Sequence, residues 1–155
     1  MSGLAPDAIG RFLSEHGLAV EPLDKREKFR LQQRWRETFC LEVKEATGQW
    51  VYEGIDWHAF SYGYAPCLKG GDAETAFNSH SGRQCYCWSS DLALIGYFCQ
   101  GHTFLKGEVF KVLLTEHPAI ADLFVVDESF DWTLVLVHEG EVGPFFKQRS
   151  PAQLH

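Results

Sequence analysis

No run of apolar residues in this 155-residue sequence approaches the roughly 20 that a membrane-spanning helix needs. The longest nearly apolar run, residues 92–99, is interrupted by Gly96. The opening Met-Ser-Gly-Leu-Ala-Pro-Asp lacks a charged region followed by an apolar core, so no secretory signal peptide is expected. An even set of cysteines is also missing. Five, at positions 40, 67, 85, 87 and 99, fall at irregular spacing, unlike the framework of a secreted disulfide-stapled scaffold. A reducing cytoplasm is the expected setting, with the thiols acting as small buried hydrophobes. The sequence has no Gly-x-Ser-x-Gly turn and no phosphate-cradling glycine loop, and Gly70-Gly71 is not followed by Lys-Ser/Thr. No cofactor is expected.

The chain has 12 Phe, 5 Trp and 5 Tyr and is 45% hydrophobic, enough to build a core without disulfides or a structural metal. Length and the lack of repeats or linkers predict a single domain over 1–155. Charge is unevenly placed. Residues 25–36 hold six basic side chains (Lys25, Arg26, Lys28, Arg30, Arg34, Arg36) against Glu27, within a chain of net charge −7. Residues 112–146 contain no Lys or Arg but seven acids, Glu116, Asp122, Asp127, Glu128, Asp131, Glu139 and Glu141. A surface of that sign repels nucleic acid and speeds association with cationic partners. The spacing of Arg26, Arg30 and Arg34 gives a helix an arginine stripe, which is expected to pair with the acidic C-terminal half.

Residues 7–18 read as a short amphipathic helix with Ile9, Phe12 and Leu13 inward. Asp24 caps a second helix to about residue 46, whose apolar stripe is Leu31, Trp35, Phe39 and Val43. Residues 54–61 fit a strand carrying Asp56, His58 and Phe60 on one face. Asp72 is placed to cap a short helix with Ala73, Ala76 and Phe77 inward. Residues 84–88 form a strand with Cys85 and Cys87 on one face and Tyr86 and Trp88 on the other. Residues 92–99 suit helix or strand, and 106–116 lean to helix, stopped before Pro118. Residues 123–127 and 132–138 form a hairpin around Glu128-Ser129-Phe130-Asp131, and Gly143-Pro144 ends the ladder. The expected class is α+β: two N-terminal helices, then an antiparallel sheet with a C-terminal hairpin, the helices packed on one face.

Zinc fingers and ribbons need paired ligands two to four residues apart, twice over, and Cys85-x-Cys87 is a single, tighter pair. Asp56-x-His58 on one strand face and His138-Glu139 at a strand end are the remaining candidates for a metal or acid–base site. Cys99-Gln100-Gly101-His102 is the nearest approach to a nucleophile turn, but Cys99 closes an apolar run, which points to burial.

The C-terminal stretch Asp122-Leu-Phe-Val-Val-Asp, Trp132-Thr133, His138-Glu139 and Gly143-Pro144-Phe145-Phe146 resembles a small-protein family of bacteria that has no assigned function. A weaker echo lies at Trp57-His58-Ala59-Phe60-Ser61. The build (small, acidic, aromatic-rich, α+β) is also similar to immunity proteins that neutralise bacterial toxins. The resulting expectation is a non-catalytic binding protein, immunity-type in form, for a protein partner with a basic surface. Glu128, Asp131, Glu139 and Glu141 are the candidate contacts. The alternative is a small metal-dependent hydrolase using Asp56, His58, His138 and Glu139.

Overall fold

In the computed structural model the described residues are 7–41, 44–45, 48, 67–80, 84–91, 93–101, 106–137 and 144–149. In chain order the elements are α1 (Ala8–Glu15), β1 (Ala19–Pro22), α2 (Lys25–Phe39), β2 (Leu68–Lys69), α3 (Gly70–Ser79), β3 (Gln84–Trp88), β4 (Tyr97–Gln100), α4 (Gly107–Glu116), β5 (Asp122–Asp127), β6 (Trp132–Val137) and β7 (Phe145–Gln148). The strands form one seven-stranded sheet in the order β1-β4-β3-β5-β6-β7-β2. Every neighbouring pair in it is antiparallel.

Local chemistry sets the helix starts. Asp7 accepts hydrogen bonds from the Ile9 and Gly10 N–H groups at 3.1 and 3.4 Å, and Asp24 accepts from the Glu27 N–H at 2.8 Å. α1 ends at a turn containing Gly17, whose φ of 91° suits glycine. α2 closes at Cys40, short of the expected end near residue 46, although Lys44 N–H to the Cys40 carbonyl and Gly48 N–H to the Lys44 carbonyl keep helical spacing beyond it. α3 and α4 occupy the segments expected to be helical, but Asp72 lies within the first turn of α3 and does not cap it.

Side chains alternate across the sheet, and both of its faces are covered. Leu123, Val125, Trp132, Leu134, Cys85 and Cys87 join a core with α1, α3 and α4. Phe124, Val126, Val135 and Trp88 join a second core with Trp35 and Phe39 of α2. This corrects the expectation of helices on one face following two N-terminal helices. β1 separates α1 from α2, and α3 and α4 fall between strands. The physical reason is visible in β6, where all six residues are buried, because a strand apolar on both faces needs a cover on each. The indole N–H of Trp35 donates to the Thr133 hydroxyl at 3.0 Å, and that hydroxyl donates to the Val125 carbonyl at 3.1 Å. A short polar chain thus fastens α2 to the middle of the sheet.

Three further expectations change. The buried face of α2 is Lys28, Gln32, Trp35 and Phe39, with Leu31 only partly covered, so the stripe is turned towards a lysine and a glutamine. Gly143-Pro144 does not end the ladder: β7 follows and pairs with β6 and β2. Of the segment expected over 92–99, the described residues 93–99 follow a turn at Asp91 and lead into β4, the Asp91 carboxylate accepting the Ala93 N–H at 2.9 Å. The hairpin of β5 and β6 is as expected, with the strand pairing Leu123 to Leu136 and Val125 to Leu134. Phe130 in its turn has φ 60°, a left-handed conformation unusual for an aromatic residue. It is fully buried, stacked on Phe39, with the Arg34 guanidinium 4.1 Å above its ring. The expected strand over 54–61 lies outside the described residues.

Candidate binding groove

A groove of about 550 Å³ opens where the start of α2 meets the turn before β4. Its walls are largely apolar: Leu23, Phe29, Ala93, Leu94, Ile95 and Gly96. Phe29 is 59% exposed, while Lys28 and Gln32 at the floor are only 6% and 8% exposed. Gly96 allows the close approach, since a Cβ there would lie 3.3 Å from Leu23 and 3.4 Å from Trp88. The Gly96 carbonyl accepts the Leu23 N–H at 2.8 Å, tying the two walls together.

Lys28 is an unusual floor for such a groove. Its Nζ donates to the carbonyls of Asp91 and Leu94 at 2.9 and 2.8 Å. Burial pulls the ammonium below its ordinary range, and the negative charges of Asp91, Asp122 and Asp7 oppose that shift. Two of those carboxylates organise the turn from behind. Asp122, 2% exposed, accepts from the Ser89 hydroxyl at 3.0 Å, the Ser90 N–H at 2.8 Å and the Ser90 hydroxyl. Asp7 accepts from the Ile95 N–H at 2.9 Å and the Tyr97 hydroxyl at 2.7 Å, while its own N–H donates to that hydroxyl at 2.8 Å. Burial and the bond to Asp7 push the Tyr97 phenol up. The groove wall is therefore fixed by polar bonds to three distant parts of the chain, a preorganised arrangement.

Of the expected contact residues, Glu128 and Asp131 share the β5–β6 turn. Both are exposed, and Asp131 is also bonded within the fold. Its carboxylate accepts from Arg149 at 2.7 Å and from the Ser129 hydroxyl at 2.9 Å, and its carbonyl accepts the Arg149 N–H at 2.7 Å. Glu139 and Glu141 lie outside the described residues, as do Asp56, His58 and His138. Among the described residues, no three His, Cys, Asp or Glu side chains are grouped to hold a metal ion. No helix among them is long and apolar enough to cross a membrane. Nor does any ion pair among them join Arg26, Arg30 or Arg34 to the acidic half. All three are exposed, and Arg34 lies against Phe130. Cys85 and Cys99 are cross-strand partners, both buried, and the Cys85 thiol is pushed up by its bond to Cys99 and by burial. That environment suits core thiols and not nucleophiles.

Sequence reading missed the groove. The available signal was Lys28 itself, spaced four, seven and eleven residues from Gln32, Trp35 and Phe39, on the inner face of the helix. Its partners at 91 and 94 are remote in sequence and carried no signal.

The fold and the groove define an α+β protein with a seven-stranded antiparallel sheet, helices on both faces and a lysine-floored apolar groove beside the β1–β4 edge. The chain belongs to the Domain of unknown function (DUF4275) family, whose model matches residues 9–146. Membership of a family without an assigned function is what the sequence led one to expect. No curated protein and no solved structure matches the chain.

Proposed function

We propose that this protein is a non-catalytic binding protein for a protein partner with a basic surface, an immunity-type neutraliser of a cationic toxin being the form that best suits its charge. The observation that carries the reading is the apolar groove with Phe29 standing 59% exposed beside it, in a chain of net charge −7. An exposed aromatic next to a preformed apolar hollow is the arrangement of an interface hot spot, and net negative charge adds long-range attraction for a cationic partner. Glu128 at the hairpin turn belongs to that acidic surface, whereas Asp131 is partly neutralised by Arg149.

The test is affinity capture from the source organism, followed by titration of each purified captured protein at low and high salt. A basic protein that binds at least about tenfold more weakly to Phe29→Ala, and associates more slowly with Glu128→Lys, supports the reading. Captured proteins that are acidic, or whose affinity is unchanged by Phe29→Ala, overturn it.

A further inference from the structure

Three thiols share one face of the β3–β4 pair. Cys85, Cys87 and Cys99 are buried in the core with α1, α3 and α4, whereas Cys40 and Cys67 belong to the core on the opposite face of the sheet. Strand register separates the three. Cys85 stands directly opposite Cys99, and Cys87 stands opposite Tyr97. Directly opposed residues on antiparallel strands have Cα atoms roughly 4.5 or 5.5 Å apart, depending on whether they exchange backbone hydrogen bonds. Either spacing lies within the roughly 4.4–6.8 Å that a disulfide spans. Cys87 and Cys99 lie on the diagonal, roughly 7–8 Å apart and beyond that reach. Cys85 and Cys87 are two positions apart on one strand, so their side chains run parallel and do not converge. The Cys85 thiol is already bonded to Cys99. One pair out of the three is thus placed for a covalent link.

We propose that Cys85 and Cys99 are a reversible oxidation site, which takes a low-molecular-weight disulfide as oxidant and becomes a bond stapling β4 to β3. One protein thiol loses its proton and attacks a sulfur of the small disulfide, whose S–S bond breaks to release one thiolate. The second protein thiolate then attacks the protein sulfur of the mixed disulfide, forming the Cys85–Cys99 bond and releasing the second small thiolate. The two cysteines lose two electrons and two protons, and the oxidant leaves as two thiols. Burial shuts both sulfurs off from such an oxidant, so the first step waits for β4, next to the edge strand β1, to open.

The bond closes a 15-residue loop, 85 to 99 inclusive. That loop carries the groove wall from Ala93 to Gly96 and the Asp91 and Leu94 carbonyls that hold Lys28. Chain entropy for a loop of this length makes unfolding about a hundredfold less favourable. By reciprocity, folding favours the bond by the same factor. The proposal stands independently of the binding reading.

The test is equilibration of the full chain in glutathione buffers of graded oxidised-to-reduced ratio, with and without urea, starting from both reduced and oxidised chain. Acid quenching, alkylation of free thiols and chymotryptic mapping follow. Cleavage after Tyr86, Trp88 and Tyr97 puts the three cysteines on separate peptides. The native chain should form the Cys85–Cys99 bond, with Cys87 recovered alkylated, at a poise about a hundredfold more reducing than the urea-unfolded chain requires. Amide exchange in β4 should be at least about tenfold slower in the oxidised chain than in the reduced one. Cys87 linked as often as the Cys85–Cys99 pair overturns the proposal. So does a shift in poise below about tenfold between native and unfolded chain, or unchanged exchange in β4.

Discussion

Thr133→Val tests the joint that seats α2 on the sheet. Thr133 and Trp35 are both fully buried, and the indole N–H has the Thr133 hydroxyl as acceptor at 3.0 Å. Valine keeps the shape of threonine but removes that acceptor, stranding an N–H in a dry core at about 1–3 kcal/mol. The bond from the hydroxyl to the Val125 carbonyl goes as well, worth about 1 kcal/mol, while the new methyl group recovers part of the loss by apolar contact. A net destabilisation of about 2 kcal/mol is expected, read as a lower urea midpoint at unchanged slope. Thr133→Ser, which keeps the hydroxyl, should cost less than Thr133→Val. Trp35→Phe removes the donor instead, so the double variant loses the shared bond only once, and its cost should fall about 1 kcal/mol or more below the sum of the singles. Strict additivity, or a Thr133→Val cost below about 0.5 kcal/mol, would refute the claim that α2 is fastened to the sheet through this bond.

Three other outcomes follow from the same structure. Tyr97→Phe should cost about 1–2 kcal/mol at pH 7, by loss of the hydroxyl bonds with Asp7. The raised phenol pKa means the folded chain keeps a proton that the unfolded chain releases near pH 10, so wild-type stability falls above that pH and the gap to Tyr97→Phe narrows; a constant gap from pH 8 to 11 in urea titrations would contradict this. Gly10→Ala should destabilise by about 1–2 kcal/mol despite alanine's better helix propensity, because the new Cβ would lie 2.6 Å from the Tyr97 ring, and a raised thermal midpoint would show the contact relaxes freely. With an aromatic disulfide reagent under native conditions, Cys67 should react first, since it alone of the five thiols is only partly buried, and simultaneous labelling of Cys85 or Cys99 would contradict their burial.

The parts of the fold legible in the sequence are those written locally. Asp24 followed by a four-residue apolar period specifies α2, and β-branched runs around Glu128-Ser129-Phe130-Asp131 specify the β5–β6 hairpin. The alternation of Cys85 and Cys87 against Tyr86 and Trp88 likewise matches their division between the two cores. What escaped depends on distant partners. β1 and β2 are four and two residues long and exist only through their pairing with β4 and β7, too short to show a period of their own. The second helical layer was implied by the apolar faces of β6, yet no local pattern says which helix covers which face. The groove is the extreme case: Lys28 reads as one more member of a basic cluster until Asp91 and Leu94 are placed beside it. Of the residues picked for function, Glu128 and Asp131 share the hairpin turn, but no local pattern signals that Arg149, 18 positions on from Asp131, engages one of them.

The way the sheet is threaded also sets the order in which the groove can come into being. The hairpin at the centre closes over short loops, with Thr133 reaching Val125 eight residues away. The bonds from Lys28 to Asp91 and Leu94 span 63 and 66 residues, and the bond from Ile95 to Asp7 spans 88. Chain-closure entropy favours the short contacts first, so β5 and β6 form early and the β1–β4 edge docks late. The same hierarchy runs in reverse as the first local opening, which makes the groove a late-forming, early-releasing unit of the molecule. A partner bound there clamps that edge, and its binding would be recorded as slowed amide exchange in β1 and β4 well before any change at β5 and β6.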